Sequence, residues 1–271
     1  MNPREPGPAP GADSFASARL WIVDLDGVIW LSGAPIGAVG EAVAALRSTG
    51  VRVVFATNNS APTSTELLAR LDRLGVAADP ADLVTSAGAA ASLVEPGQSV
   101  TVLGEDGVFE ALEARSVSIS VGDRSDAAIV GWTRSFDFAG LAATATAARR
   151  SGHLVGTNED PTHPTPDGLM PGAGSILAAV ATASGVVPDI AGKPHAPMAS
   201  LMRQAFGFAD GDPAVVMIGD QPRTDGQLAR RLGIPFGLVD SGVTPASTDH
   251  FDVPVAVRFP DFVTMVHTLL S

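Results

Sequence analysis

Four short segments hold the residues best suited to chemistry: Asp24 and Asp26 in DLDGV, Thr57 and Asn58 in ATNNS, Lys193 in GKPHAPM, and Asp220 with Asp225 in GDQPRTDG. Gathered in one place, the four carboxylates would repel one another strongly unless a cation sat among them. A hard divalent ion such as Mg2+ answers that need. It takes oxygen ligands in octahedral geometry, commonly a pair of carboxylates with water and a phosphate oxygen. Lys193 adds a fixed positive charge, and Thr57 and Asn58 add hydrogen-bond donors. The sum is a pocket suited to a phosphoryl group, whose transfer depends on positioning and charge neutralisation. Taken singly, no segment is diagnostic. D-x-D-G after a strand is commonly a turn with capping carboxylates, TNNS alone is a loop sequence, and a lysine before proline is ordinarily on the surface. Their order and placement along the chain carry the reading.

For these residues to meet, the elements before them must end at one edge. LWIVDLD (20–26) is a short apolar run closing on carboxylates, as a buried parallel strand does. AVGEAVAALRSTG follows with Val39, Val43 and Leu46 at helical spacing and Gly50 as its stop. VRVVFATNN reads as a second strand. Thr63 and Glu66 form a capping box that opens a helix burying Leu67, Leu71 and Leu74. This strand–helix rhythm predicts a parallel sheet, in which ligands gather beyond the carboxyl ends of the strands.

The rhythm breaks after residue 80. A helix (SAGAAASLV) and short strands at SVTVLG, AAIVGW and HLVGT precede a long loop, TNEDPTHPTPDGLMPGAG, with four prolines and three glycines. Loops of that length are usually functional or disordered. The next helix sets Ile176, Leu177 and Val180 on one side. The first rhythm then returns with APMASLMRQAFG, AVVMIGD, GQLARRLG and PFGLVDSG. The expected organisation is a disordered tail over 1–18, an α/β core over 19–80 and 188–271, and an inserted α/β cap over 81–187. Trp132, Phe136 and Phe138 are expected to fill the core of the insert. His163 and His195 read as polar loop histidines, and His153, His250 and His267 as structural or exposed.

Composition narrows the functional classes. The 271 residues carry a formal net charge of -12, which disfavours nucleic acid as a partner. Cysteine is absent, which removes thiolate nucleophiles and thiolate-bound zinc. The Pro- and Gly-rich first residues lack the apolar core of a signal peptide, and no apolar run approaches the roughly 20 residues that span a bilayer. A soluble, cytoplasmic protein without a membrane partner is expected.

Together the four motifs resemble those of the haloacid dehalogenase superfamily of aspartate-nucleophile phosphatases. More narrowly, the chain is similar to the branch with a large C2-type cap between its second and third motifs, which includes NagD-like nucleotide phosphatases, phosphoglycolate phosphatase and 4-nitrophenylphosphatase. The similarity runs from Leu20 to about Thr244 and includes VGWTRSFDF and GTNEDPTHPTPDGLMPGAG in the insert. It implies a Rossmann-like core and hydrolysis of a small phosphate monoester through an aspartyl-phosphate. Asp24 matches the nucleophile and a metal ligand. Asp26 matches the general acid/base, whose backbone carbonyl also binds Mg2+. Thr57 and Asn58 match the phosphate-binding motif, and Lys193 the lysine that steadies nucleophile and phosphate. Asp220 matches the acidic metal ligand, Asp225 the carboxylate that holds a metal-bound water, and Asn158 and Asp160 the cap residues facing the leaving group. The branch also allows a homodimer through the cap.

Three positions depart from the pattern: Gln221-Pro222 after Asp220, Gly226 where an apolar residue is usual, and Gly37 where many relatives carry proline. The rival from another class is a non-catalytic phosphometabolite-binding protein that kept the fold. The retention of Asp24, Asp26 and Lys193 argues against it. Among the polyol, sugar and nucleotide phosphates such caps serve, the absence of lysine and arginine from 158–170 disfavours a second anionic group at this loop and favours a polyol or sugar phosphate over phosphoglycolate, unless Arg134 points inward.

Overall fold

The computed structural model describes residues 11–31, 33–120, 124–165 and 168–271. The chain divides into two compact units. The first comprises the chain up to Ala56, Leu71–Ala78 and Phe206–Ser271; the second comprises Thr57–Arg70 and Asp79–Ala205.

In the first unit, parallel strands stand in the order Val257–Phe259, Phe236–Val239, Val215–Gly219, Leu20–Asp24 and Arg52–Thr57. Leu20–Asp24 and Val215–Gly219 are buried at all five positions, which is why both read as continuous apolar runs and not as alternating ones. The helix Val39–Ser48 buries Val39, Ala42, Val43 and Leu46, one stripe at helical spacing, and the chain turns away at Gly50, whose φ is +88°. A last helix, Phe262–Leu270, packs against it and buries Phe262, Met265 and Val266. Asp261 caps that helix by accepting from the Thr264 amide at 2.7 Å.

The tail expected over 1–18 lies outside the described residues as far as position 10, and the part from Gly11 is described. Ala12–Ala16 is helical and Phe15 is buried. Phe15 meets Trp21 edge-on at 5.7 Å, and Trp21 meets Phe262 at 6.4 Å. A Cβ at Gly237 would lie 2.8 Å from the Phe15 ring, so the missing side chain there makes the seat for this aromatic. Burial of the ring contributes roughly 1.5–3 kcal/mol, enough to hold one helical turn.

The second unit has its own parallel sheet, ordered Asp189–Ile190, Leu154–Gly156, Ala127–Val130, Ser99–Leu103 and Ser118–Ile119. Its core joins Ala128, Val130 and Leu154 to Ala145 and Ala148 of the helix Phe138–Ser151 and to Leu177 and Val180 of the helix Ala173–Ser184. Part of the long punctuated loop is ordered as an antiparallel hairpin, Thr162–Thr165 with Gly168–Pro171. The capping box at Thr63 forms: its amide donates to Glu66 Oε2 at 2.9 Å, and its Oγ1 accepts from the Glu66 amide at 3.1 Å.

The aromatic expectation needs correction. Phe136 is 43% exposed and Phe138 is 82% exposed, and Trp132 is only half-buried. The two phenylalanines flank Asp137, which caps the helix Phe138–Ser151 by accepting from the Gly140 amide. The buried face of that helix is Thr144, Ala145, Ala147 and Ala148. Packing against the sheet therefore uses small side chains, and the large ones lie at the helix start outside the core. Among the described residues, no helix is long and apolar enough to cross a membrane. The architecture is α/β with mostly parallel sheets.

Candidate active site

Two strand ends and one turn bring three carboxylates together in the first unit. Asp24 closes the strand Leu20–Asp24, and Asp220 follows the neighbouring strand Val215–Gly219. These strands are parallel with Val23 opposite Ile218, so both deliver a carboxylate to the same edge. Asp225 comes from Pro222–Gly226, a wide turn of π-helical form in which the Gly226 amide donates to Gln221 O at 3.3 Å. All three side chains are buried, and one oxygen from each lies within 4.8 Å of the others.

Backbone amides orient the group. Asp24 Oδ1 accepts from the Leu25 amide at 2.8 Å, Asp220 Oδ2 from Val243 at 2.7 Å, and Asp225 Oδ2 from Gln221 at 3.1 Å. Glycines shape the space around it. A Cβ at Gly27, whose φ is +85°, would come 2.6 Å from Asp220 Cγ; one at Gly242 would land on Asp220, and one at Gly219 on Asp225. At this spacing each pair of unit charges repels by about 3–4 kcal/mol even at an effective dielectric of about 20. An all-oxygen donor set held rigidly at that cost fits a hard divalent cation. Gly219→Ala is expected to push a methyl group into the Asp225 carboxylate. It should lower stability by about 1–3 kcal/mol in a urea melt and weaken divalent-cation binding measured by calorimetry.

Asp26 has a separate partner. Its Oδ1 accepts from Trp30 Nε1 at 3.0 Å, and the residue is partly exposed. Two of the departures from the family pattern have local explanations. Gly37 has φ +68°, which proline cannot adopt. A Cβ at Gly226 would lie 2.6 Å from Val253 and 3.2 Å from Phe236, so the volume of the usual apolar residue is taken by these two.

The remaining expected site residues form a second cluster, in the second unit. The Asn58 side chain is its hub. Its Oδ1 accepts from the Lys193 amide at 2.8 Å, while its Nδ2 donates to Lys193 O and to Asp160 Oδ2, both at 3.1 Å. The Asn58 carbonyl accepts from Asn158 Nδ2 at 2.8 Å and from Ser86 Oγ at 2.7 Å, and Asn158 Oδ1 accepts from the Asp160 amide at 3.0 Å. Asn58, Asn158, Asp160 and Lys193 are thus parts of one network. Thr57 is buried and its Oγ1 accepts from the Asn59 amide at 3.0 Å. Gly192 makes the approach possible, since a Cβ there would lie 2.6 Å from Asn58 Oδ1 and 2.5 Å from Thr157 O.

Several participants escape a reading by residue type. Ser86 and Gly192 look like helix-start and turn residues, and only the doublet of glycine before lysine hints at a tight approach. His195 is paired with Glu159 at 2.9 Å, and His163 lies 5.5 Å from the Trp132 ring. Arg134 is exposed with its guanidinium 5.4 Å over Trp132.

Comparison with known proteins bears on both clusters. Residues 21–118 match a family model described as haloacid dehalogenase-like hydrolase, and residues 190–264 match a second, described as HAD-hydrolase-like. D-glycerol 3-phosphate phosphatase of Mycobacterium tuberculosis is 36% identical over 250 residues, covering 89% of this chain and 68% of that protein. 5'-nucleotidase YutF of Bacillus subtilis is 30% identical over 240 residues, covering 86% and 92%. The crystal structure of the Mycobacterium tuberculosis glycerol phosphate phosphatase in complex with magnesium superposes with a TM-score of 0.80 at 30% identity, over 92% of this chain and 76% of that one. Similarity of that extent in sequence and in fold, running through the segments that carry both clusters, makes this chain a member of the haloacid dehalogenase-like hydrolases.

Proposed function

We propose that this protein is a Mg2+-dependent phosphatase that hydrolyses a small phosphate monoester through an aspartyl-phosphate on Asp24. The observation that carries the reading is the convergence of buried Asp24, Asp220 and Asp225 within 4.8 Å of one another. Asp24, the main-chain carbonyl of Asp26, and Asp220 would hold Mg2+, with Asp225 behind them holding a water. When bound, the ion supplies positive charge that offsets the charge developing on the phosphoryl oxygens. The magnesium complex of the mycobacterial relative supports the choice of ion.

In the first half-reaction a carboxylate oxygen of Asp24 attacks phosphorus and the bond to the leaving alcohol breaks. Asp26 gives its proton to the oxygen of the leaving group. In the second, Asp26 takes a proton from water, the water oxygen attacks phosphorus, and the Asp24 carboxylate is released along with inorganic phosphate. Thr57, Asn58 and Lys193 bind the phosphoryl oxygens. The Asn58 amide bonds to the backbone of Lys193 support a further part for it in holding that lysine.

The reading takes 19–80 and 188–271 as the catalytic core, 81–187 as a cap with Asn158 and Asp160 toward the leaving group, and the cap as the surface of a homodimer. It takes the protein to act in the cytoplasm, on a polyol, sugar or nucleotide phosphate. The names of the relatives, a D-glycerol 3-phosphate phosphatase and a 5'-nucleotidase, support that substrate range. So does the occupation of Arg134 with Trp132.

The test is phosphate release by the purified protein from 4-nitrophenyl phosphate, glycerol 3-phosphate, sugar phosphates and nucleoside monophosphates. Turnover is expected with Mg2+ and not with excess chelator. Binding of these esters without turnover would identify a phosphometabolite-binding protein instead.

A further inference from the structure

We propose that Trp30 is a positioning residue for Asp26, and that its indole N–H sets the orientation in which Asp26 exchanges protons. The inference rests on the phosphatase reading above. A general acid that later serves as general base must present one carboxylate oxygen to the same place in both half-reactions. Asp26 sits on a turn and is partly exposed, so the orientation of its short side chain is set by what it bonds to.

The turn Leu25–Trp30 is built to hold that partner in place. Ile29 and Trp30 both donate their amides to Leu25 O, at 2.9 and 3.2 Å, and Gly27 donates to Trp30 O at 2.7 Å. The backbone is thereby closed on itself around Asp26. Val28, Ile29 and Trp30 are each 0% exposed, so the indole cannot swing out. From that fixed seat Nε1 reaches Asp26 Oδ1 at 3.0 Å. Holding one oxygen against the indole fixes where the other points.

Packing alone does not account for the arrangement. Trp21 is an equally buried indole of the same unit, seated between Phe15 and Phe262, and among the described residues its Nε1 has no hydrogen-bond partner. A tryptophan serving only as filler leaves its N–H unused here, whereas the N–H of Trp30 is aimed at a carboxylate four residues earlier.

Leaving-group dependence tests the proposal. The 4-nitrophenoxide ion departs without protonation, while phenoxide, the ion of a much weaker acid, needs a proton. The two esters otherwise have nearly the same shape. For Trp30→Phe, kcat/KM, which reports only the half-reaction in which the alcohol departs, is expected to fall about tenfold or more on phenyl phosphate and less than about threefold on 4-nitrophenyl phosphate. In an Asp26→Asn background the same change should add little, since the residue it acts through is already disabled. If Trp30→Phe fails to fold, 3-benzothienylalanine at position 30 keeps the ring shape and removes only the N–H. Equal losses of kcat/KM on the two esters, or no loss on either, would overturn the positioning role while leaving the phosphatase reading intact. An inactive wild-type protein would overturn both.

Discussion

Asp24→Asn is expected to lower kcat on 4-nitrophenyl phosphate by at least about a hundredfold, or about 3 kcal/mol of transition-state stabilisation, in a protein that remains folded. The amide has the size and shape of the carboxylate, and its Oδ1 can still accept from the Leu25 amide, now 2.8 Å from Asp24. What it loses is the negative charge that makes the oxygen a nucleophile. Asp24 is also a proposed metal ligand, so a weaker metal site could mimic the loss. Saturation with Mg2+ separates the two effects. A lost ligand is compensated as the ion concentration rises, whereas a lost nucleophile is not. In chelator a melt no lower than that of the wild type, together with a rate that saturating Mg2+ cannot restore, is the expected pair of results. Full activity would move the nucleophile elsewhere.

Much of the fold is legible in the sequence because its strongest signals are local. Leu20–Asp24 and Val215–Gly219 are apolar runs ending in acid, and Val39, Val43 and Leu46 mark a helical stripe that is buried as spaced. The parts that stay hidden depend on distant partners. The helix Ala12–Ala16 follows a Pro- and Gly-rich stretch with few apolar residues, and it is held by Phe15 against Trp21 and over Gly237, contacts that no local pattern encodes. The pairing of Thr162–Thr165 with Gly168–Pro171 is hidden by its prolines, which signal a loop although paired edges tolerate them. Phe136 and Phe138 mislead in the other direction. Size and hydrophobicity point them inward, but the alanine face of their helix takes the core.

The site divides the same way. Each acidic residue can be picked out as a carboxylate beyond a strand, but the union of Asp24 with Asp220 follows from strand order, which sets Leu20–Asp24 beside Val215–Gly219 across nearly two hundred residues of chain. The glycines that shape the cluster are harder still. Gly219 and Gly242 are ordinary in sequence, and only the carboxylates lying where their side chains would be give them meaning. Trp30 is legible as a core residue, while the direction of its N–H is a property of the closed turn.

The second large effect concerns the metal and distinguishes the two aspartates of the GDQPRTDG segment. Asp220→Asn should weaken Mg2+ binding by more than about a hundredfold in calorimetry without substrate, beyond the roughly 10–100-fold typical of groups that only support a ligand. Asp225→Asn should fall within that lower range. The ordering follows from the proposed roles, with Asp220 on the ion and Asp225 behind it, and an equal loss at both positions would make them equal ligands. Stability supplies an independent readout. At Mg2+ about a hundredfold above its Kd, the wild-type protein should gain about 2.7 kcal/mol over the chelated protein. Asp220→Asn, its affinity reduced by that factor or more, should keep only a small part of this gain at the same Mg2+ concentration. Without the ion the order should reverse. Removing one of three buried charges that lie within 4.8 Å relieves repulsion, so chelated Asp220→Asn should melt no lower than chelated wild type. A variant that melts lower with and without Mg2+ would mean that the fold needs the charge of Asp220 as acceptor for the Val243 amide and not for a cation.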